Sequence, residues 1–492
     1  MNNAALLPIA PEVILLAGAL VVILLLAIFD RPYREGGIVA FTALFGALIA
    51  SVFQWMALDD GADSLYFSAQ DVSVVRLPMV VMDRYAVFAG FEIFVIAIVG
   101  LAVAWRLVQS LGERRAEFLA LVLLGVAGLH MMAASANTVM MFIGLETASL
   151  SFYVLAGFTR ERADADEAAV KYFLLGSLAS AIFIYGASLL FAGTASTSFY
   201  GAGGIREFLT ENVVTEPTIL LFGMGLLIVG LSFKVSAAPF HQWAPDVYQG
   251  APAGVVGLLA AGVKIAGFAA LGRVLISALP SLIDEWAPLL AIIAGVSMVI
   301  GTVMAAVQND VKRILAYSGI AHAGYIMMAF VAGREGIAAM WFYLVTYALT
   351  LLGAFAVASV VSGARSGRSP LTDWSGLSSR APGLAWAMLI ILLGMGGIPF
   401  TKGFVAKIGV FTAASDAGYQ WLMFLALFTT VVGLYVYFRV AAVMFMGDAG
   451  DDKPLTIPIA TAVVIGLVAI STILLGLDPW PLLEIAGEAL PL

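Results

Sequence analysis

The chain has 492 residues, of which 62% are hydrophobic and only 11% charged, against roughly 25% charged in a soluble globular protein. Net charge is −8 and no block of Lys or Arg is present, so nucleic acid is excluded as a partner. There is no cysteine, which excludes disulfides and thiolate-held iron–sulfur clusters. Length alone suggests about three soluble domains. Apolar runs of about 20 residues recur along nearly the whole chain, however, and each is long enough to cross a bilayer. The expectation is therefore a single all-α integral membrane domain, residues 1–492.

The runs predict about fourteen transmembrane helices, near 11–30, 36–58, 84–109, 116–134, 138–158, 165–193, 217–249, 252–278, 286–307, 312–332, 337–363, 382–414, 418–446 and 455–477. Residues 1–10 contain no Lys or Arg, whereas a secretory signal starts basic. The run from Val13 to Phe29 is followed by Arg31 and Arg34, so it reads as a retained first helix ending in the cytoplasm. Arg114, Arg115, Arg160, Arg162, Lys312, Arg313, Arg365, Arg368, Arg380 and Lys453 then fall on that same side. The opposite side holds Arg76, Arg206 and Arg334 among many acids, including Asp59, Asp60, Asp63, Asp71, Glu211, Glu216, Asp284, Glu285 and Asp416. This is the positive-inside bias. It holds throughout only for an even number of spans with both termini outside the cytoplasm.

Two segments, 217–249 and 382–414, are longer than one span needs, and each contains an internal proline: Pro239 in KVSAAPFHQW and Pro399 in GGIPFTKGF. Proline breaks the helical ladder. In lipid the freed backbone groups survive only beside protein or a polar cavity. Paired interrupted helices in corresponding halves point to an inverted repeat with an ion site near the midplane; the plainer reading is two ordinary kinks.

Eight charged groups lie inside apolar runs: Glu92, Glu146, Lys171, Lys234, Lys264, Lys402, Lys407 and Arg439. One such charge at the bilayer centre costs about 2.5–3.5 kcal/mol, so five unpaired lysines would cost on the order of 10 kcal/mol. Lys171 and Arg439 sit near helix ends, where a long side chain can snorkel to the headgroups. Glu146, Lys234 and Lys264 are too deep for that. Burial disfavours an ammonium and a nearby carboxylate favours it, so a lysine with a movable carboxylate partner can exchange a proton near neutral pH. Glu146 is the expected partner of Lys234. Glu92 lies far from the prolines and reads as a carboxyl that stays protonated or pairs with a neighbouring subunit.

Of the three histidines, His130 reads as a satisfied interior or interface residue. His322, in SGIAHAGYIMM, and His241, beside Pro239, are candidate proton relays, because imidazole titrates near neutrality. A histidine-ligated haem is open on count alone. Asp246 and Asp310 read as solvated or capping carboxylates. The glycines at Gly201–Gly204 read as a turn in an acidic loop.

The stretches GLETASLSFYVL (144–155), EAAVKYFLLGSLASAIFIYG (167–186), SFKVSAAPFHQWAPDVYQGAP (232–252), VKRILAYSGIAHAGY (311–325) and GGIPFTKGFVAKIGVF (396–411) together resemble the antiporter-like proton-translocating subunits of respiratory complex I. Those subunits are similar to components of multisubunit cation/proton antiporters. The resemblance covers roughly 116–446 and implies two inverted five-helix repeats, 116–278 and 286–446, flanked by 1–115 and by a last helix at 455–477. It implies Glu146 and Lys234 as the pair beside the first broken helix, Lys264 and His322 as the central connection, and Lys407 as the terminal lysine. Lys171 matches a lysine of the family, whereas Lys402 stands where a small neutral residue is usual.

The implied function is proton translocation in an NADH-quinone oxidoreductase of a bacterial inner membrane. The implied partners are the other membrane subunits and the bilayer. This chain itself would hold no cofactor and do no redox chemistry; NADH, FMN, iron–sulfur clusters and quinone would sit in partner subunits. The alternatives are a subunit of a multisubunit cation/proton antiporter and an independent secondary transporter. Copurifying iron–sulfur and flavin subunits, small membrane subunits alone, or no partner would separate the three.

Overall fold

A computed structural model describes residues 6–28, 33–59, 65–68, 78–159, 162–212, 217–363, 367–448 and 455–492. Helices dominate because hydrocarbon offers no partner for a free backbone N–H or C=O. Helices α1 (Ala10–Ile28), α2 (Tyr33–Asp59) and α3 (Arg84–Ser110) come first, with α3 largely buried. They are followed by α4 (Arg115–Ala133), α5 (Thr138–Ala156) and α6 (Ala163–Thr194), and by the short α7 (Ile205–Glu211). The first expected break separates α8 (Thr218–Lys234) from α9 (Trp243–Gly250), and α10 (Ala253–Gly272) follows. Next come α11 (Ile283–Ala306), α12 (Val311–Met327), α13 (Ile337–Val361) and the short α14 (Leu377–Arg380). The second break separates α15 (Pro382–Gly396) from α16 (Lys402–Asp416), before α17 (Gln420–Met446), α18 (Ile459–Leu477) and α19 (Trp480–Glu488).

Eleven helical stretches among the described residues are long and apolar enough to span a membrane, and α8 and α15 are shorter apolar helices. One of the eleven, Val311–Val361, contains both α12 and α13, with a kink at Gly333 (φ 61°, ψ −135°). Every residue of α10 is buried, so this helix is the core of the molecule. Large apolar side chains of α1, α6, α17 and α18 face outward, as lipid requires. Among the described residues one small antiparallel pair interrupts the helices, β1 (Leu65–Ser68) with β2 (Pro78–Met82), between α2 and α3.

Two parts of the chain share local detail. A Cβ on Gly128 of α4 would lie 2.4 Å from the Ala148 nitrogen of α5, and a Cβ on Gly301 of α11 would lie 2.4 Å from the Ala321 nitrogen of α12. Each contact is thus as close as glycine allows. Asn137 caps α5 through the Met140 N–H (2.7 Å), and Asp310 caps α12 through the Arg313 N–H (3.2 Å). Each cap also bridges to the segment after the third helix of its set, Asn137 to Ser198 and Asp310 to Pro370.

Several charges expected in loops prove to be structural. Lys312 is fully buried and donates to the carbonyls of Gln249 (2.9 Å), Ala251 (2.5 Å) and Gly367 (2.8 Å). It was expected as an exposed cytoplasmic base; instead it fastens the α9–α10 turn to the segment after α13. Asp246 was expected to be solvated or capping. Its two oxygens instead hold Lys171 (2.7 Å) and Arg313 (2.7 Å). Arg439 donates to the Ala306 carbonyl (2.7 Å) at the end of α11. Gly201 and Gly203 have φ of 79° and 75°, as the expected turn demands. Arg31, Asp60, Asp63, Asp71, Arg76, Arg160, Glu216, Arg365 and Lys453 lie outside the described residues, as does the side chain of Arg34.

Arg273, in a π-helical extension of α10 (Arg273–Ala278), is fully buried and was not anticipated. It forks onto both oxygens of Asp83, the N-cap of α3, at 2.5 Å, and donates to Tyr200 Oη (2.8 Å) and to the Ala133 carbonyl (3.0 Å). Removing one member of such a pair strands a buried charge. Arg273→Met should therefore lower stability by roughly 3–5 kcal/mol, and the double variant Arg273→Met/Asp83→Asn should recover part of that loss. Thermal unfolding in detergent measures both; an unchanged midpoint in the single variant would contradict the assignment.

Candidate functional site: a buried lysine and histidine axis

The breaks put polar backbone inside the bundle. Lys234 is the last residue of α8, and the chain then passes through a left-handed Ser236 (φ 56°). The groups freed there are met from the surrounding protein: Trp243 Nε1 donates to the Phe233 carbonyl (2.9 Å) and the Ala238 N–H donates to Ser297 Oγ (2.8 Å). The second break runs through Gly397 (φ 76°) and a left-handed Phe400 (φ 68°). Here Lys407 supplies the partner, donating to the Gly396 carbonyl at the end of α15 (3.0 Å). A helix C-terminus carries partial negative charge and favours a cation.

Lys234 is buried and donates to Ser149 Oγ of α5 (2.6 Å), with the Tyr153 ring 5.7 Å from its Nζ. Glu146, half-buried one turn earlier on α5, accepts from Ser180 Oγ of α6. No ion pair within 4.0 Å joins Glu146 to Lys234 among the described residues. The expected partners thus do not touch: Ser149, one turn along α5 from Glu146, takes the hydrogen bond of Lys234 and donates its own to the Leu145 carbonyl. A Cβ on Gly267 would lie 3.5 Å from Lys234 Cβ, so α8 meets α10 one turn past Lys264.

Lys264 is buried, donates to the Gly319 carbonyl of α12, and lies 3.3 Å from Tyr347 Oη of α13. The Tyr347 ring is 4.8 Å from that of His322. His322 is buried, with Nδ1 2.8 Å from Tyr343 Oη and Nε2 3.3 Å from Tyr437 Oη. Tyr437 Oη in turn is 2.5 Å from Ser318 Oγ. A small, mostly apolar cavity that Ser318, His322, Tyr325, Val436 and Tyr437 help to line reaches Lys407. A smaller one shares His322 with it and is lined by Tyr343, Thr346, Tyr347 and Thr350 among others. The first, at about 20 Å³ with several hydroxyls on its wall, has room for one water. Lys407 itself lies 3.3 Å from Thr430 Oγ1 and 4.9 Å from the Tyr325 ring.

The remaining candidates lie off this line. Lys171 is 43% exposed and pairs with Glu167 (2.7 Å) and Asp246, so it belongs to a boundary network. His241 is half-buried in the first break, its Nδ1 without a partner and its ring 6.5 Å from Tyr317. Lys402 is fully buried but turns away from Lys407 and donates to Ser471 Oγ of α18 (3.1 Å). His130 is satisfied at Nδ1 by Glu12 Oε1 (2.7 Å), a buried carboxylate the sequence reading passed over. The hydroxyls of the axis were passed over as well. A signal for them exists: Tyr343, Thr346, Tyr347 and Thr350 recur at helical spacing in an apolar segment. Among the described residues no cluster of three or more His, Cys, Asp or Glu is arranged to hold a metal ion.

Two broken helices with buried ionisable groups beside and between them define the class: a polytopic membrane protein with buried polar groups in its interior. The chain belongs to the NADH:quinone oxidoreductase/Mrp antiporter transmembrane family, whose model matches residues 135–433. It is 38% identical over 483 residues to NADH-quinone oxidoreductase subunit N 1 of Solibacter usitatus, covering 97% of this chain and 96% of that one. Its structure is similar to a chain of respiratory complex I from Thermus thermophilus, with TM-score 0.80 and 32% identity over 97% of this chain and 99% of that one. A chain of the Mrp complex from a Dietzia species shares the fold, with TM-score 0.86, 22% identity, and coverage of 99% and 97%.

The geometry orders the two lysines after the second break. Lys407→Ala should abolish most proton uptake, because Lys407 adjoins the cavity that reaches His322. Lys402→Ala should have the milder effect, since its one described hydrogen bond leads to α18. Proton uptake per quinone reduced, compared at matched assembly, measures this; the opposite order would reverse the assignment.

Proposed function

We propose that this chain is the antiporter-like subunit N of a proton-translocating NADH-quinone oxidoreductase. The single observation that carries the reading is the interior line Lys234–Lys264–His322–Lys407, whose members are buried and bound to hydroxyls and carbonyls rather than to carboxylates. The Solibacter usitatus relative is by name an NADH-quinone oxidoreductase subunit N, which supports the reading. The chain contributes to the enzyme as a translocating subunit. NADH, FMN, iron–sulfur clusters and quinone belong to partner subunits, and the neighbours in the membrane are other subunits of the same complex.

Counting Val311–Val361 as two crossings and each broken helix as one gives fourteen transmembrane helices. The first repeat runs over 116–278 and the second over 286–446, with 1–115 before them and 455–477 after. The matched glycine contacts, helix caps and bridges of α4–α6 and α11–α13 support this division. Both termini lie outside the cytoplasm of a bacterial inner membrane, which the loop charges support.

The mechanism follows from low dielectric. An ammonium at Lys264 raises the cost of charging its neighbours on the axis, so protons occupy the line in sequence rather than together. Glu146 is the switch. Its charge biases Lys234 through space, and events in neighbouring subunits act on Glu146 because it is half-exposed on α5. Tyrosine hydroxyls and single waters carry protons between the nitrogen atoms, with His322 as the central station.

Glu146→Gln keeps shape and removes the charge. Reconstituted vesicles holding the assembled variant should reduce quinone while proton uptake falls sharply. Full uptake at normal turnover would remove Glu146 from the mechanism.

A further inference from the structure

Glu146 and Lys234 have no direct path for a proton between them. Lys234 donates to Ser149 Oγ (2.6 Å), and Ser149 commits its one proton to the Leu145 carbonyl. Ser149 therefore holds the ammonium but has no proton to hand on. Glu146 accepts from Ser180 Oγ of α6, on its other side. A proton passing between the two needs a further hydroxyl.

Tyr153 of α5 supplies one. It follows Glu146 by seven residues and Ser149 by four, so at 100° per residue all three share one face of the helix. A helical tyrosine leans back over the preceding turn. That lean brings the Tyr153 hydroxyl toward Ser149 and into the electrostatic range of Glu146. Lys234 Nζ lies 5.7 Å from the centre of its ring. The ring is clamped edge-on by Tyr172 (4.6 Å), which itself stacks on Trp243 (4.5 Å). On α6, a Cβ at Gly176 would collide with Tyr153 Oη, so glycine leaves the room the hydroxyl occupies. Tyr153 is 4% exposed, and among the described residues its Oη has no hydrogen-bond partner. A buried hydroxyl without a partner costs stability that phenylalanine would not. The packing accounts for the ring and leaves the oxygen without a structural use.

We propose that Tyr153 is the proton relay of the switch: its hydroxyl passes a proton between Lys234 and Glu146. The inference rests on the translocation reading above. The Lys234 ammonium, held by one described hydrogen bond, turns from Ser149 to Tyr153 Oη. One of its protons bonds to the phenol oxygen as the phenol's own proton leaves for the Glu146 carboxylate. Lys234 ends as the neutral amine, Glu146 as the neutral acid, and Tyr153 as the phenol it was. The net charge is unchanged, and no buried phenolate is formed. The switch thereby discharges both members in one step, which charge acting through space alone does not do.

Tyr153→Phe removes only the oxygen. It would be compared with Glu146→Gln and with the double variant in the assembled complex, by proton uptake per quinone reduced in vesicles. Tyr153→Phe should lose uptake as Glu146→Gln does, and the double variant should lose no more than either, because all three break one link. The unfolding midpoint of Tyr153→Phe should match or exceed that of the unaltered complex, since no hydrogen bond is lost. Normal uptake in Tyr153→Phe beside a defective Glu146→Gln would overturn the relay and leave the switch standing. Normal uptake in both single variants would remove Glu146 from the mechanism and the relay with it. A lowered midpoint in Tyr153→Phe would give the hydroxyl a structural role, and a double variant clearly worse than either single would place it on a separate path; each result contradicts the proposal.

Discussion

An ammonium buried in hydrocarbon must find acceptors inside the protein, and the architecture follows from how each lysine finds them. Lys312 has three N–H groups and three backbone carbonyls to receive them. All three N–H groups are engaged, so it acts as a clasp. Lys264 and Lys407 are each held by one carbonyl and one hydroxyl, and Lys407 adjoins a small cavity. On the proposed mechanism they are held firmly enough to stay buried and loosely enough to exchange. Arg273 is the opposite extreme: a permanently charged guanidinium forked onto Asp83 inside the core, suited to fixing α10 against α3. On that mechanism the same physical requirement produces groups that fasten and groups that transfer.

The broken helices make that distinction possible. An unbroken helix offers a buried lysine few backbone acceptors, because its carbonyls are already engaged along the ladder. Ending α15 in mid-bundle exposes the Gly396 carbonyl, and Lys407 from the next helix takes it. Ending α8 at Lys234 swings that residue toward Ser149 and leaves the Phe233 carbonyl to Trp243. Pro239 and Pro399 both lie within the non-helical stretches, where a missing N–H costs no ladder bond.

Much of this was legible in the sequence, for identifiable reasons. Hydropathy located the apolar helices, since a bilayer crossing needs a long apolar run, and the two prolines located the breaks. The deep lysines announced themselves because charge in an apolar run is costly. What the sequence hid were pairings across great separations. Asp83 and Arg273 are 190 residues apart, and Glu12 and His130 are 118 apart, so neither reads as a pair. Ser149 as the acceptor of Lys234 was invisible because serine is common in such helices and only the fold assigns it a partner. Lys312 was misread as a loop base because it stands at a helix start, where most lysines meet water. The β pair between α2 and α3 gives no clear alternation, and part of its connection lies outside the described residues.

The central claim is that protons cross by way of Lys264, the buried lysine between the two broken helices. Lys264→Met preserves length and apolar packing while removing the exchangeable proton. The decisive quantity is proton uptake per quinone reduced, in vesicles containing the assembled variant at matched quinone reduction. The account predicts a clear loss of uptake from this one change. Uptake equal to that of the unaltered complex would contradict it, and would mean that protons take a route that bypasses the buried axis.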